Sequence, residues 1–299
     1  MTSQNSPELF GGVSTALITP FLKGEVDYAS LKKLVRFQLE GGIHGFVVAG
    51  STAEAATLNL DEKKKLLDFV IGEVAGQVPV VMGSGTFNTQ ETCDLVRIFE
   101  KQKPSGFLIV TPYYNRPPQR GLVAHYKRVA QATLMPILIY NVPSRTACSI
   151  SPASVSEVAK TCKNVVGIKE AAGNLNTIQE LKTLCPPDFL VLSGDDETYI
   201  QSVELGGHGV ISVISHVIPR WCVDAYRKAR GHSETADMVQ KAKDMAAALF
   251  CESNPIPVKW ALKEMGIITS DELRLPLLEL APEFQPRVRA TLKSWRLLP

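Results

Sequence analysis

Eight short runs rich in β-branched and apolar residues, alternating with stretches of helical periodicity, constrain this chain more than any other feature. The runs cover residues 13–19, 45–49, 79–82, 106–111, 136–141, 165–169, 189–193 and 209–213. Between them, residues 28–40, 61–75, 89–102, 121–132, 151–161 and 176–184 space their apolar side chains at helical intervals, with Asp61 and Ser151 as expected N-caps. Strand and helix in regular alternation imply a parallel sheet. Eight repeats within roughly 215 residues fit a closed (β/α)8 TIM barrel better than an open doubly wound sheet. No G-x-G-x-x-G follows the first run. Beyond the eighth run only helical periodicity remains, over 238–250, 257–265 and 282–297. The expected organisation is a barrel catalytic domain over 1–228 and an all-helical appendix over 229–299.

The composition narrows the partners. Thirty-two basic and 30 acidic residues are scattered along the chain for a net charge of +2, so no basic face argues for nucleic acid or a membrane surface. Six cysteines, among them Cys93, Cys148 and Cys222, form no C-x-x-C pair, which argues against a zinc site or a disulfide framework. The first residues lack a charged and apolar leader, and no apolar run approaches the ~18 residues of a membrane span. A cytoplasmic enzyme acting on a small molecule is expected.

In such a barrel the reactive groups sit where strands end. The sixth run, Val165-Val166-Gly167-Ile168, ends in Lys169. A strand end poor in water disfavours an ammonium ion and frees the amine to attack a carbonyl as a Schiff-base nucleophile. Taken alone, a strand-end lysine more often snorkels to solvent. The second run opens into Gly50-Ser51-Thr52-Ala53-Glu54, whose hydroxyls and backbone N–H groups suit a carboxylate, although a turn with local side-chain hydrogen bonds reads the same way. The fourth run ends in Thr111-Pro112-Tyr113-Tyr114-Asn115 and the fifth in Tyr140-Asn141-Val142-Pro143-Ser144-Arg145-Thr146. Each tyrosine singly is a common rim filler, and Arg145 singly is a common loop ion pair. Together, an amine, a phenol, a hydroxyl relay and a carboxylate-binding turn are what imine formation from a 2-oxo acid requires, and Arg145 suits a second carboxylate. The five histidines fall in no ligand-like spacing, which disfavours a metal-dependent aldolase; His208, before the eighth run, reads as structural.

These segments closely resemble the signatures of the 4-hydroxy-tetrahydrodipicolinate (dihydrodipicolinate) synthase family, as do Gly167 to Asn174, Ser193-Gly194-Asp195-Asp196, Asn254-Pro255-Ile256-Pro257-Val258-Lys259 and Leu273-Arg274-Leu275-Pro276. The resemblance runs nearly end to end. It implies condensation of pyruvate with aspartate semialdehyde, without an external cofactor or metal, in a homotetramer. Carried over by position, it makes Lys169 the Schiff-base nucleophile and Tyr140 the proton donor and acceptor beside it. Ser51 relays between Tyr140 and Tyr114, the latter contributed across a subunit interface. Thr52 holds the pyruvate carboxylate, Arg145 the semialdehyde carboxylate, and Gly194 and Ile211 line the pocket.

Two departures carry expectations of their own. Ser51 and Ala53 stand where the family usually has threonine and glycine. Serine keeps the hydroxyl with a freer rotamer, whereas a Cβ at Ala53 is costly if the turn needs positive φ there. Leu60, Lys63 and Phe87 stand where lysine-inhibited members tend to carry histidines and an asparagine, while Glu91 and Tyr113 match; weak or absent lysine inhibition is expected. The closest rival is another pyruvate-dependent lyase on the same scaffold, an N-acetylneuraminate lyase or a 2-keto-3-deoxy sugar acid aldolase. A more distant one is a non-catalytic keto-acid-binding barrel, which has no use for an imine-forming amine.

Overall fold

A computed structural model of the protein describes residues 10–298. Eight parallel strands close a barrel: β1 (Gly12–Ala16), β2 (Gly45–Val48), β3 (Val80–Gly83), β4 (Gly106–Val110), β5 (Ile137–Asn141), β6 (Val165–Glu170), β7 (Leu190–Ser193) and β8 (Gly209–Ser212). β1 pairs with both β2 and β8, so no edge is left open. The helices after the strands are α1 (Tyr28–Glu40), α2 (Leu60–Val74), α3 (Thr89–Glu100), α4 (Gln119–Ala130), α5 (Pro152–Thr161), α6 (Leu175–Leu184), α7 (Tyr199–Glu204) and α8 (Pro219–Arg230). Three more follow: α9 (Ala236–Leu249), α10 (Ile256–Glu264) and α11 (Gln285–Ser294).

The strands are buried on both faces, which is why they read as continuous apolar runs rather than alternating ones. Val47, Val81, Leu108, Leu138, Leu192 and Ile211 meet inside the barrel, while the larger cluster fills the layer between strands and helices. Tyr140 belongs to the interior cluster. Burying these aliphatic side chains is worth about 1.5–3 kcal/mol each and dominates the stability of the scaffold.

All eight sequence-predicted strands are present, but their ends shift for identifiable reasons. The first stops at Ala16, and the chain then makes an antiparallel ribbon of Phe21–Leu22 with Glu25–Val26 about Lys23 and Gly24, both left-handed. Two-residue strands have too little sequence to show a period, and the ribbon is not legible beforehand. Six-residue α7 is missed on the same ground. The α2 cap is a correction: Asn59, not Asp61, accepts the Glu62 N–H, and Glu62 returns the bond to complete a capping box, leaving Asp61 in the first turn. Ser151 does cap α5. His208 accepts the Val191 N–H at 3.0 Å through Nδ1 at the strand-entry end, a structural role.

The appendix is fastened to the barrel mouth. α9 and α10 pack against the turn Ile214–His216 that leaves β8. His216 secures that turn from within, accepting the Ile18 N–H at 3.1 Å through Nε2.

Candidate active site

Lys169 is the fifth residue of β6 and pairs in register with Tyr140 of β5 on one side and Leu192 of β7 on the other. It does not snorkel. The residue is 6% exposed, and its Nζ lies 4.4 Å from the centroid of the Tyr140 ring. Among the described residues Nζ makes no hydrogen bond and no ion pair. A buried amine without an acidic partner is costly for folding alone, which makes the position chemically informative.

Gly194, directly after β7, explains how the amine fits. A Cβ there would lie 2.8 Å from Lys169 Cε and 2.7 Å from the Ala171 Cβ. Glycine is needed for space rather than for backbone conformation. We expect Gly194→Ala to displace the lysine side chain and lower turnover about 100-fold, the cost of misplacing a reacting group by an ångström. Steady-state kinetics with a melting curve checks this, since unchanged turnover in a folded variant would remove Gly194 from the site.

The segment after β2 forms a 3-10 turn, Ser51–Ala53, closed by the Glu54 N–H donating to the Ser51 carbonyl at 3.1 Å. The left-handed residues are Ala49 and Glu54, with φ of 53° and 56°. Ala53 itself lies inside the helical turn and is buried, so its Cβ meets no backbone penalty and the feared distortion does not arise. Thr52 is 3% exposed, and its Oγ1 accepts a 2.9 Å hydrogen bond from Asn254 Nδ2 in the appendix. The hydroxyl proton of Thr52 is thereby left to point elsewhere, which suits donation to a carboxylate.

After β5, a single helical turn, Pro143–Thr146, presents Arg145, whose Nη2 donates to the Asn254 carbonyl at 3.2 Å. Asn254 therefore touches both the threonine and the arginine. A cavity of about 420 Å³ opens beside them, lined by Ser51, Tyr140 and Arg145 and extending past Lys63, Glu91 and Tyr113. Burial pushes the Lys63 ammonium pKa down, an effect opposed by nearby Glu91. Ile211 is buried in the barrel interior with Tyr140, beneath the mouth rather than on the cavity wall. Lys169, Thr52 and Gly194 are not among the residues that line this cavity.

The three residues expected to form a relay are not joined to one another in this chain. Among the described residues no hydrogen bond joins Ser51 to Tyr140. Tyr114 is 88% exposed and left-handed at φ 72°, and Tyr113 is the one that enters the cavity of its own chain.

Two acidic residues with no expected role in the chemistry hold the strand ends. Glu170 is buried, accepts from Asn141 Nδ2 and from the Ala172 N–H, both at 2.8 Å, and burial raises its carboxyl pKa. It ties β5 to β6 beside Tyr140 and Lys169. Asp196 accepts the N–H groups of Val213 and Ile214 at 2.8 and 3.1 Å, and burial pushes its pKa up to about 6. Glu170 is the last residue of β6 and Asp196 the third after β7, so a carboxylate at or just past a strand end was the available signal for both.

Residues 9–295 match the model of the dihydrodipicolinate synthetase family. The chain belongs to that family. It is 45% identical over 293 residues to a 4-hydroxy-tetrahydrodipicolinate synthase of Bdellovibrio bacteriovorus, covering 95% of this chain and 98% of that one. A structure described as the first monomeric dihydrodipicolinate synthase variant superposes with a TM-score of 0.96 at 41% identity, covering 98% of this chain and 99% of the other. The chloride-inhibited dihydrodipicolinate synthase of Acinetobacter baumannii, solved complexed with pyruvate, superposes at 0.93 with 36% identity, over 97% of this chain and all of that one. Within the dihydrodipicolinate synthetase family, then, the buried lysine and the cavity beside it stand on a scaffold shared from end to end.

Proposed function

We propose that this protein is a 4-hydroxy-tetrahydrodipicolinate synthase, condensing pyruvate with aspartate semialdehyde through a Schiff base on Lys169. The observation that carries the reading is the Lys169 amine: buried, without an acidic partner, and in contact with a tyrosine ring at the barrel mouth.

The steps follow from the groups at hand. The Ser51 and Thr52 N–H groups and the Thr52 hydroxyl hold the pyruvate carboxylate, which presents the ketone carbon to Nζ. Nζ adds to that carbon, the carbonyl oxygen takes up protons delivered by Tyr140, and water leaves to give the imine. Loss of a methyl proton gives an enamine, whose carbon attacks the aldehyde of the semialdehyde while Arg145 grips its carboxylate. The substrate's own amine then adds to the imine carbon, displaces Lys169 and closes the ring. The protonated imine supplies the electron sink.

Tyr114, exposed and strained, completes the proton relay of a neighbouring subunit in this reading, which makes the working form an oligomer and, by analogy with the family, a homotetramer in the cytoplasm. Leftover strain of about 1–3 kcal/mol at a non-glycine left-handed residue is typical of functional positions. No helix of the described residues is long and apolar enough to cross a membrane.

Borohydride added with pyruvate should leave a covalent adduct on Lys169, found by peptide mass spectrometry, and its absence would sink the reading. Turnover of pyruvate with aspartate semialdehyde, against none with pyruvate and N-acetylmannosamine, separates it from a sugar-acid aldolase. Lysine should inhibit weakly or not at all, because Lys63 already places a cation beside Glu91 in the cavity where a lysine ligand would bring its own. Submicromolar inhibition in the same assay would contradict this.

A further inference from the structure

We propose that Lys259 of the appendix is a positioning residue for the carboxylate-holding turn, acting through Glu54; the proposal deepens the Schiff-base reading and rests on it. Glu54 ends the turn in a left-handed conformation that side chains ordinarily avoid, and its N–H closes the turn on Ser51. What holds it there is its carboxylate. Oε1 meets Lys259 Nζ at 2.5 Å, with both side chains at most 1% exposed, and Oε2 accepts the backbone N–H of Arg274 at 3.0 Å.

Lys259 is fixed in turn. Its ammonium also donates to the Glu272 carbonyl at 2.8 Å and lies 4.2 Å from the Phe21 ring centroid. The Arg274 guanidinium covers the same ring at 4.4 Å and forks onto both oxygens of Glu62, the residue that completes the α2 capping box. The loop from Ser51 to Asn59 is thus gripped at its start through Glu54 and at its end through Glu62, in both cases by the appendix. A buried ion pair is a poor source of net stability, because desolvating the two charges offsets their attraction. It is a good source of fixed geometry, and the geometry it fixes is that of the N–H groups meant for pyruvate.

The role predicts a split in kinetics that a merely structural contact does not produce. In the full-length chain, Glu54→Gln with Lys259→Met removes both buried charges together and strands neither. We expect pyruvate KM to rise about tenfold or more, with turnover and semialdehyde KM within about threefold of the unsubstituted chain. Glu54→Gln alone keeps one acceptor oxygen, enough for Lys259 Nζ but not also for the Arg274 N–H, so its pyruvate KM should rise clearly less than in the double variant. Equal losses in both variants, or no loss in either, overturn the proposal. If the double variant does not fold, Lys259→Arg keeps the charge while displacing Glu54. The same selective rise in pyruvate KM supports the role, and an unchanged KM overturns it. Borohydride trapping of the unsubstituted chain runs alongside. No adduct there overturns the Schiff-base reading and this proposal with it, whereas an adduct with unchanged KM overturns the positioning role alone.

Discussion

Lys169→Met should abolish condensation while leaving the protein at least as stable as it is now. Turnover should fall by at least about 10⁴-fold, equivalent to ~5.5 kcal/mol of transition-state stabilisation, because no other amine reaches the position paired with Tyr140. The borohydride adduct should vanish with it. Stability moves the other way. Nζ has no hydrogen-bond or ion-pair partner among the described residues and the residue is 6% exposed, so folding leaves a largely desolvated amine without a partner. Methionine has nearly the same shape, fills the space beside Gly194 and Ala171, and removes that penalty. A melting temperature equal to or above that of the unsubstituted chain, together with lost activity, is the expected pair of results. A variant that melts far lower would mean Lys169 is held by an interaction important to the fold, and a variant that stays active would end the Schiff-base reading.

Tyr140→Phe should be the second most damaging change. Tyr140 is 7% exposed, and its ring packs in the barrel interior with Leu138 and Ile211. Phenylalanine keeps that packing and the contact with Lys169, so the fold should survive intact. What disappears is the hydroxyl to which the proposed mechanism gives proton delivery as water leaves the carbinolamine and as the ring closes. Loss of a positioned general acid and base lowers rates by about 10²–10⁴-fold. Single-turnover trapping with pyruvate isolates the imine step: adduct should still form on Lys169, but more slowly. Trapping at the original rate, with turnover within tenfold, would move the proton-transfer role to another group.

How much of this was legible beforehand depended on whether the information was local. The eight strands were readable because each is a buried run of four to six residues with its own composition, and Ser151 was readable as a cap because it sits next to the helix it caps. Lys169 and Tyr140 stand out because each lies at or next to the end of such a run, where a barrel carries its chemistry. The Asn59 cap was mistaken for Asp61 because both residue types cap helices and lie two positions apart, and only the hydrogen bonds distinguish them.

The sequence by itself determined the repeating unit, the strand-end position of the amine and the kinds of group around the mouth, since periodicity and residue type act over a few neighbours. Only the tertiary structure decided what those groups touch. It put Ala53 inside a right-handed turn and moved the left-handed strain to Ala49 and Glu54. It sent Tyr113 inward and Tyr114 out, although the two are adjacent and chemically identical. It joined Thr52 to Asn254 and Glu54 to Lys259, partners 202 and 205 residues apart. Contacts at such separation are fixed by closure of the barrel and docking of the last helices, and nothing in the residues on either side of them announces the pairing.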